Sequence, residues 1–159
     1  MARLPDRFDL WVRRAKECSD TARQADYILG ALAGLKEWHF LNVGTAEAPI
    51  VASAQIGPDV CRLVFTDAGR IGELQESGQP FQANPWSMIT IPAADAMAWC
   101  VEGRTALLVN PGEDAVIIPF GQLEIFHMDW NRRGGRQTAG FWIPNMTTEE
   151  EDFWQEHGL

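Results

Sequence analysis

Three kinds of side chain in this sequence could do chemistry: histidines, cysteines and clustered arginines. The histidines are His39, His127 and His157. None has a second histidine within about four residues, the spacing at which one helix or strand can present a metal pair. His127 lies two residues before Asp129, so a nucleophile–His–Asp site would have to recruit Cys100 or Ser87 from elsewhere. Neither lies in a G-x-S-x-G turn, so the sequence predicts no catalytic residue and no metal site.

The three cysteines, Cys18, Cys61 and Cys100, have no C-x-x-C pattern and no neighbouring histidine. This spacing matches neither a zinc site nor a disulfide framework, and it predicts reduced, mostly buried thiols in a cytoplasmic protein. The first ten residues carry four charges, which disfavours a secretory signal. The longest uncharged window, 77–94, contains three prolines and predicts no membrane-spanning helix.

An arginine- and glycine-rich segment contains Arg132, Arg133 and Arg136. It lacks the G-x-x-x-x-G-K-[ST] pattern of a phosphate loop, and the sequence predicts no nucleotide or other cofactor. Guanidinium groups on such a segment favour contact with an anion or a partner. Alternatively, they pair with the acidic run 149–152 of the same chain or of a second copy.

Seven tryptophans are many for 159 residues, and Trp130, Trp142 and Trp154 fall near the arginine-rich segment. Tryptophan and arginine are enriched at binding hot spots. The hypothetical interaction surface consists of Trp130, Arg132, Arg133, Arg136, Trp142 and Trp154. The alternative is that the C-terminal segment folds back and lays its aromatic side chains on the protein's own sheet or helices.

The net charge of −9 arises from 13 basic and 22 acidic residues, and residues 36–126 carry most of the excess. A strongly acidic surface repels nucleic acid and anionic lipid. Nucleic-acid binding is therefore an unfavoured function, whereas a protein partner or self-association remains open.

The apolar periodicity predicts a helical region over 1–35, divided near Ser19–Thr21. After it, β-rich runs are expected at 38–43, 50–57, 60–65, 86–91, 105–109 and 115–120, the first three as a meander. Helices are expected near 66–78, 93–102 and 122–130, and a capping-box pattern at Thr147 or Thr148 predicts a terminal acidic helix. The predicted class is α/β (α+β), with a mixed, largely antiparallel sheet of five to six strands and flanking helices.

The region 36–130 resembles the N-terminal domain of the SseB family, a bacterial module named for enhanced serine sensitivity. The resemblance depends on the ordered elements Trp38-His39-Phe40-Leu41, Val64-Phe65-Thr66-Asp67, Ile91-Pro92 and Leu107 to Gly112. It implies an α/β fold and no particular reaction. Residues 1–35 and 131–159 depart from the family pattern, and we expect both to pack on the same single domain.

Two functions are compatible with the sequence. The first is a non-enzymatic domain that binds another protein or itself through the hypothetical interaction surface. The second is a small-molecule sensor or enzyme whose pocket lies beside the sheet, near Trp38, His39, His127 and Asp129.

Overall fold

A computed structural model of the chain describes residues 7–76, 88–112, 115–132, 134 and 147–157. The described helices are α1 (Arg7–Lys16), α2 (Thr21–Ala33), α3 (Gly69–Glu76), α4 (Ala93–Glu102), α5 (Phe120–Arg132) and α6 (Thr148–His157). The strands are β1 (Glu37–Leu41), β2 (Ser53–Ile56), β3 (Asp59–Phe65), β4 (Met88–Pro92), β5 (Ala106–Val109) and β6 (Val116–Ile118). No described helix is both long and apolar enough to cross a bilayer.

The N-terminal helical region is a hairpin of α1 and α2, as the periodicity predicts. The apolar face of α1 is buried along its whole length, through Phe8, Trp11, Val12 and Ala15. Asp20 separates the two helices: its side chain accepts a hydrogen bond from the backbone N–H of Ala22 at 3.0 Å. This N-cap satisfies a donor that the first turn of α2 leaves unpaired.

The six strands form one mixed sheet in the order β4-β1-β3-β5-β6, with β2 paired to β3. Only β3 and β5 run parallel, because the segment between them, which contains α3, β4 and α4, forms a crossover. The predicted class, a mixed and largely antiparallel sheet of five to six strands with flanking helices, is therefore confirmed.

The predicted meander is right for β2 and β3, which pair antiparallel, and wrong for β1 and β2. β3 pairs with both β1 and β2, whereas the first two strands are joined only by an isolated bridge between Asn42 and Val51. Ala52 links the three segments, since its N–H donates to the Leu41 carbonyl and its own carbonyl accepts from the Leu63 N–H. Runs of apolar residues predict that strands exist, but the distant contacts that select their partners leave no local pattern.

The core lies mainly on the face of the sheet that α1, α2, α4 and α5 cover, which we call the helix side. Trp38 and Phe40 of β1 point into it with side chains of α1, α2, α4 and α5, and both are fully buried. Leu41 belongs to a smaller cluster with Leu63 and Phe65 of β3. Because alternate strand residues face opposite sides, one strand supplies both clusters.

The carboxyl ends of the parallel strands are fastened by side chains. The Asn110 carboxamide oxygen accepts from the Thr66 N–H at 3.0 Å, and its amide group donates to the Thr66 hydroxyl at 3.1 Å. Asn110 has φ +50°, a left-handed conformation that asparagine tolerates better than most residues. The Asn-Pro-Gly turn thus holds the ends of β3 and β5 together.

The C-terminal helix α6 docks on the helical hairpin. Its Glu150 carboxylate accepts hydrogen bonds from Arg23 at 2.8 and 3.2 Å and from the Tyr27 hydroxyl at 2.7 Å. Phe153 contacts the buried Trp11 ring edge-on, with centroids 4.8 Å apart. At the start of α6, the Thr147 hydroxyl accepts from the Glu150 N–H at 3.2 Å, so Thr147 is the N-cap of the predicted acidic helix. We call Arg23, Tyr27, Trp11, Glu150 and Phe153 the α6 dock.

Candidate binding groove

A groove of about 280 Å³ opens between α2, β6 and the start of α5. Its walls are mostly apolar, with the side-chain amides of two glutamines among them. The lining residues are Thr21, Gln24, Ala25 and Ile28 of α2, Val116 to Pro119, and Gly121, Gln122 and Ile125 of α5. We call this feature the β6 groove.

Large apolar side chains stand exposed beside the β6 groove. Ile117 on β6 is 43% exposed and Ile125 on α5 is 65% exposed. Met128, one helical turn after Ile125, is 56% exposed and extends the same side of α5. Single exposed apolar residues are common, but a contiguous set around a groove is typical of binding sites.

The groove also contains the edge of the sheet. β6 pairs with β5 on one side, and no strand within the described ranges pairs with its other side. An edge strand leaves backbone N–H and C=O groups available for an added strand. The groove thus combines apolar side chains with a backbone that has capacity for more hydrogen bonds.

Three carboxylates are sequence neighbours of lining residues on α2 and α5, although none of them lines the groove itself. Asp20 precedes the lining residue Thr21, Asp26 follows Ala25, and Glu124 precedes Ile125. Burial raises the pKa of Asp26 to about 6, against the opposing effect of Arg23 and with reinforcement from Asp20 and Asp129. The folded environment therefore disfavours the charged form of Asp26, although that form still predominates at neutral pH.

The hypothetical interaction surface is divided by the structure. Trp130 is 8% exposed and stacks with Phe126 at 6.1 Å between centroids, so it belongs to the core and is withdrawn from any partner. Arg132 is 73% exposed and lies 3.8 Å from the Asp129 carboxylate. The rest of this surface lies outside the part of the chain that the structure describes: Arg133, Arg136, Trp142 and the side chain of Trp154.

The four side chains of the hypothetical pocket do not line a common cavity. The Trp38 indole N–H donates to the Leu32 carbonyl at 2.9 Å, within the core on the helix side. His39 is the next residue of β1, so it faces the other side of the sheet, where its Nδ1 lies 2.9 Å from the Thr90 hydroxyl. None of the four lines the β6 groove.

The other two members lie on α5, away from His39. The ring of His127 contacts the Asn131 carboxamide at 3.2 Å, and burial lowers the pKa of His127. Asp129 follows two residues later on the same helix and pairs with Arg132. In an α-helix, residues two apart do not face each other, so these two side chains do not form a His–Asp pair.

The thiols have the properties of core residues. Cys61 and Cys100 are fully buried, and Cys18 is partly buried. Burial raises the pKa of Cys100 to about 11, although Arg62 opposes the shift. A reactive cysteine needs the opposite shift, toward a stable thiolate. Across the described residues, no group of three His, Cys, Asp or Glu side chains is arranged to hold a metal ion.

Sequence reasoning missed the β6 groove. Its walls come from residues 21–28 and 116–125, which are far apart in the chain and carry no motif. One local signal was present: Ile117 and Ile118 are consecutive apolar residues in a three-residue edge strand, so one of them had to face outward. Ile125 gives a similar signal on α5, where it is out of phase with the buried Leu123 and Phe126.

No family model, curated protein or solved structure matches the chain. The resemblance to the SseB family therefore stays a prediction from the sequence.

Proposed function

We propose that the chain is a protein-binding module without a catalytic role, and that its β6 groove holds apolar side chains of a partner protein. The observation that carries this proposal is that the exposed residues Ile117 and Ile125 both line the groove, with the exposed Met128 one helical turn beyond Ile125. Burial of apolar surface supplies about 25 cal/mol for each Å² removed from water. A partner that covers these side chains gains that free energy.

The small size of the groove and its edge-strand wall suit side chains of a protein partner. Small-molecule sites measure roughly 300–1,000 Å³ and enclose most of the ligand. The β6 groove, at about 280 Å³, is at the small end of that range, and one of its walls is an edge strand. It suits one or two apolar side chains of a larger partner.

The non-catalytic part of the proposal is supported by the state of the candidate reactive groups. The described thiols are shielded by burial, which raises the pKa of Cys61 and of Cys100. His39 is engaged with Thr90, and His127 with Asn131. The His39–Thr90 pair does place a base within reach of a hydroxyl, but no carboxylate of the described residues bonds the His39 ring to orient it, as a catalytic triad requires.

A variant that fills the groove tests the proposal. Gly121 lines the groove, and a Cβ added there meets no atom within 4 Å. Gly121→Trp therefore fills the groove without disturbing the packing behind it. Gly72, in α3, has equally open surroundings outside the groove, so Gly72→Trp is the matched control.

Random peptides of about seven residues, the length of a typical strand, are selected for binding to the unmodified chain. The expected result is a set of peptides whose dissociation constants are unchanged in Gly72→Trp and at least about tenfold weaker in Gly121→Trp. Equal binding to both variants, or selection of no peptide, overturns the proposal. Circular dichroism checks that Gly121→Trp folds. If it does not, Ile125→Lys replaces it, because Ile125 lines the groove and is 65% exposed. Its control is Ile50→Lys, at a position that is 59% exposed and outside the groove.

A further inference from the structure

We infer that the surface of the helical hairpin under α6 is a docking site for acidic helices, and that an acidic helix of a partner protein displaces α6 from it. We call this surface the hairpin surface, and it consists of Trp11, Arg14, Arg23 and Tyr27. The inference goes beyond the proposed function, because it concerns the side of α2 that does not line the β6 groove.

The hairpin surface has the chemistry to recognise a carboxylate. Two nitrogens of Arg23 donate to the two carboxylate oxygens of Glu150, at 2.8 and 3.2 Å. The Tyr27 hydroxyl donates to one of these oxygens at 2.7 Å. A guanidinium that engages both oxygens fixes the position and the plane of the carboxylate. The hairpin surface therefore selects a carboxylate at one defined position of a helix.

An aromatic contact recognises a second position of the helix. The Phe153 ring meets Trp11 edge-on, with centroids 4.8 Å apart, and the Arg14 guanidinium lies 5.2 Å from the centre of the same ring. Glu150 and Phe153 are three residues apart, so they share one face of α6. The pattern that fits the hairpin surface is thus a carboxylate followed three residues later by an aromatic ring.

The charges of the two sides are complementary. The chain has a net charge of −9, yet residues 7–33 contain five basic and four acidic side chains. Helix α6 contains five acidic side chains and neither lysine nor arginine. Complementary charge steers association and disfavours partners of the wrong sign. An acidic helix is therefore the occupant that the charges favour.

Few side chains anchor α6. Among its side chains that the structure describes, Glu150 is buried, Phe153 is partly buried and the other six are exposed. Helix α2, in contrast, buries seven residues. Segments with few buried apolar contacts open at a lower free energy than the whole domain. We therefore expect α6 to leave the hairpin surface while the rest of the chain stays folded.

The fit of α6 also leaves room for a better occupant. The Glu149 side chain is 82% exposed, and its Oε1 lies 3.4 Å from the Arg14 nitrogen, a long distance for an ion pair. A partner helix with closer contacts at this position, and at that of Phe153, gains free energy that α6 does not. A second copy offers only the same contacts, and a tethered helix acts at a roughly millimolar effective concentration. A distinct partner is therefore the occupant that displaces α6.

A peptide with the sequence of residues 146–158 tests the inference by fluorescence anisotropy with the full chain. Glu150→Ala weakens the chain's own α6 and leaves the hairpin surface intact. This variant should bind the peptide at least about tenfold more tightly than the unmodified chain does. Glu151→Ala, at an exposed position of α6, is the matched control and should bind the peptide as weakly as the unmodified chain.

Further substitutions locate the binding. In the Glu150→Ala chain, Arg23→Gln should weaken binding at least about tenfold, whereas Arg13→Gln, at an exposed arginine of α1, should change it less than about threefold. A peptide carrying Glu150→Ala should lose binding, and one carrying Glu151→Ala should keep it. Gly121→Trp should leave binding unchanged, so the result does not depend on the β6 groove.

Hydrogen exchange tests displacement in the unmodified chain. Excess peptide should speed the exchange of the backbone amides of 151–156, since the peptide holds the site that α6 vacates. The amides of 25–32 in α2 should be unaffected. This measurement needs no variant, so it decides the question even if Glu150→Ala does not fold by circular dichroism.

Several results would overturn the inference. They are equal binding of the peptide to the unmodified and Glu150→Ala chains, undiminished binding of the Glu150→Ala peptide, or unchanged exchange of the α6 amides. A dimer of the unmodified chain at micromolar concentration that Glu150→Ala abolishes would make a second copy the occupant, and it would overturn the inference as well. None of these results bears on the β6 groove, so the proposed function is tested separately.

Discussion

Helix α2 has one side that the chain itself covers and another that borders the β6 groove. On the covered side, Arg23 and Tyr27 meet the Glu150 carboxylate through three hydrogen bonds of 2.7 to 3.2 Å. On the groove side, Thr21, Gln24 and Ile28 face a cavity of about 280 Å³. One helix therefore supports both a closed intramolecular contact and an open surface.

The carboxylates of Glu150 and Asp26 respond to burial in opposite ways. Burial acts to raise the pKa of Glu150, but hydrogen bonds from Arg23 and Tyr27 outweigh burial and hold it below its ordinary value. Burial raises the pKa of Asp26 to about 6, because Arg23 compensates only in part. The Glu150 carboxylate therefore stabilises the fold, whereas the charged form of Asp26 costs stability.

The largest expected effect is at the α6 dock. Glu150→Ala should lower the free energy of unfolding by about 3 kcal/mol, since it leaves a partly buried guanidinium and a buried tyrosine hydroxyl without their acceptor. Urea denaturation measures the change. Glu151→Ala, at an exposed position of the same helix, is the control and should change it by less than about 0.5 kcal/mol. Equal effects of the two substitutions would contradict the distinction between the two sides of α2.

The next effect comes from the aromatic contact of the same dock. Phe153→Ala should lower the free energy of unfolding by about 2 kcal/mol, less than for a fully buried phenylalanine because Phe153 is only partly buried. Combined with Glu150→Ala, the total should fall short of the sum, since either substitution alone weakens docking of α6. A strictly additive double variant would show that the two contacts act independently.

A smaller effect concerns pH. Because the folded pKa of Glu150 is lowered, its stabilising contribution is complete above about 4.5 and is lost as the pH falls through the folded value. Asp26 has the opposite sign: its folded pKa of about 6 lies above the ordinary 3.8, so its penalty is greatest above pH 6 and disappears as the pH falls toward 3.8.

Asp26→Asn isolates the second of these contributions. It should raise the free energy of unfolding by about 1 kcal/mol near neutral pH, a figure reduced for partial solvent screening. The gain should vanish when denaturation is measured near pH 4. A gain that is the same at both pH values would show that charge is not its cause.

The smallest expected effect is at the groove wall. Gly121→Ala should raise the free energy of unfolding by about 0.5 kcal/mol, because alanine favours the helix more than glycine and its Cβ meets open space. Thermal denaturation detects the change. A loss of stability would mean that the groove wall is more tightly packed than its geometry indicates.

The local parts of the fold could be predicted from the sequence. The buried face of α1, the helix break near Ser19–Thr21 and the acidic helix that begins at Thr147 or Thr148 are patterns of neighbouring residues, and each is confirmed. Strand pairing could not be predicted in the same way. The partners of β3 are chosen by contacts between segments tens of residues apart.

The site was harder to predict for the same reason. Trp130 resembled a binding residue by its type, but its position on α5 places it against Phe126 in the core. One alternative from the sequence pairs the arginine-rich segment with the acidic run 149–152 of the same chain or of a second copy. Two members of that run, Glu149 and Glu150, contact Arg14 and Arg23 of the helical hairpin, which no sequence pattern indicated. Residue type indicates which groups can bind, whereas the fold decides which remain accessible.

The distance along the chain between the members of the α6 dock has a consequence during synthesis. Arg23 and Glu150 are 127 residues apart, and at ribosomal rates of about 5–20 residues per second the carboxylate follows the guanidinium by about 6–25 s. The helical hairpin therefore emerges long before the helix that covers it. During that interval the Trp11 indole and the Tyr27 hydroxyl lack α6, and a chaperone that recognises nascent aromatic surface would find them there.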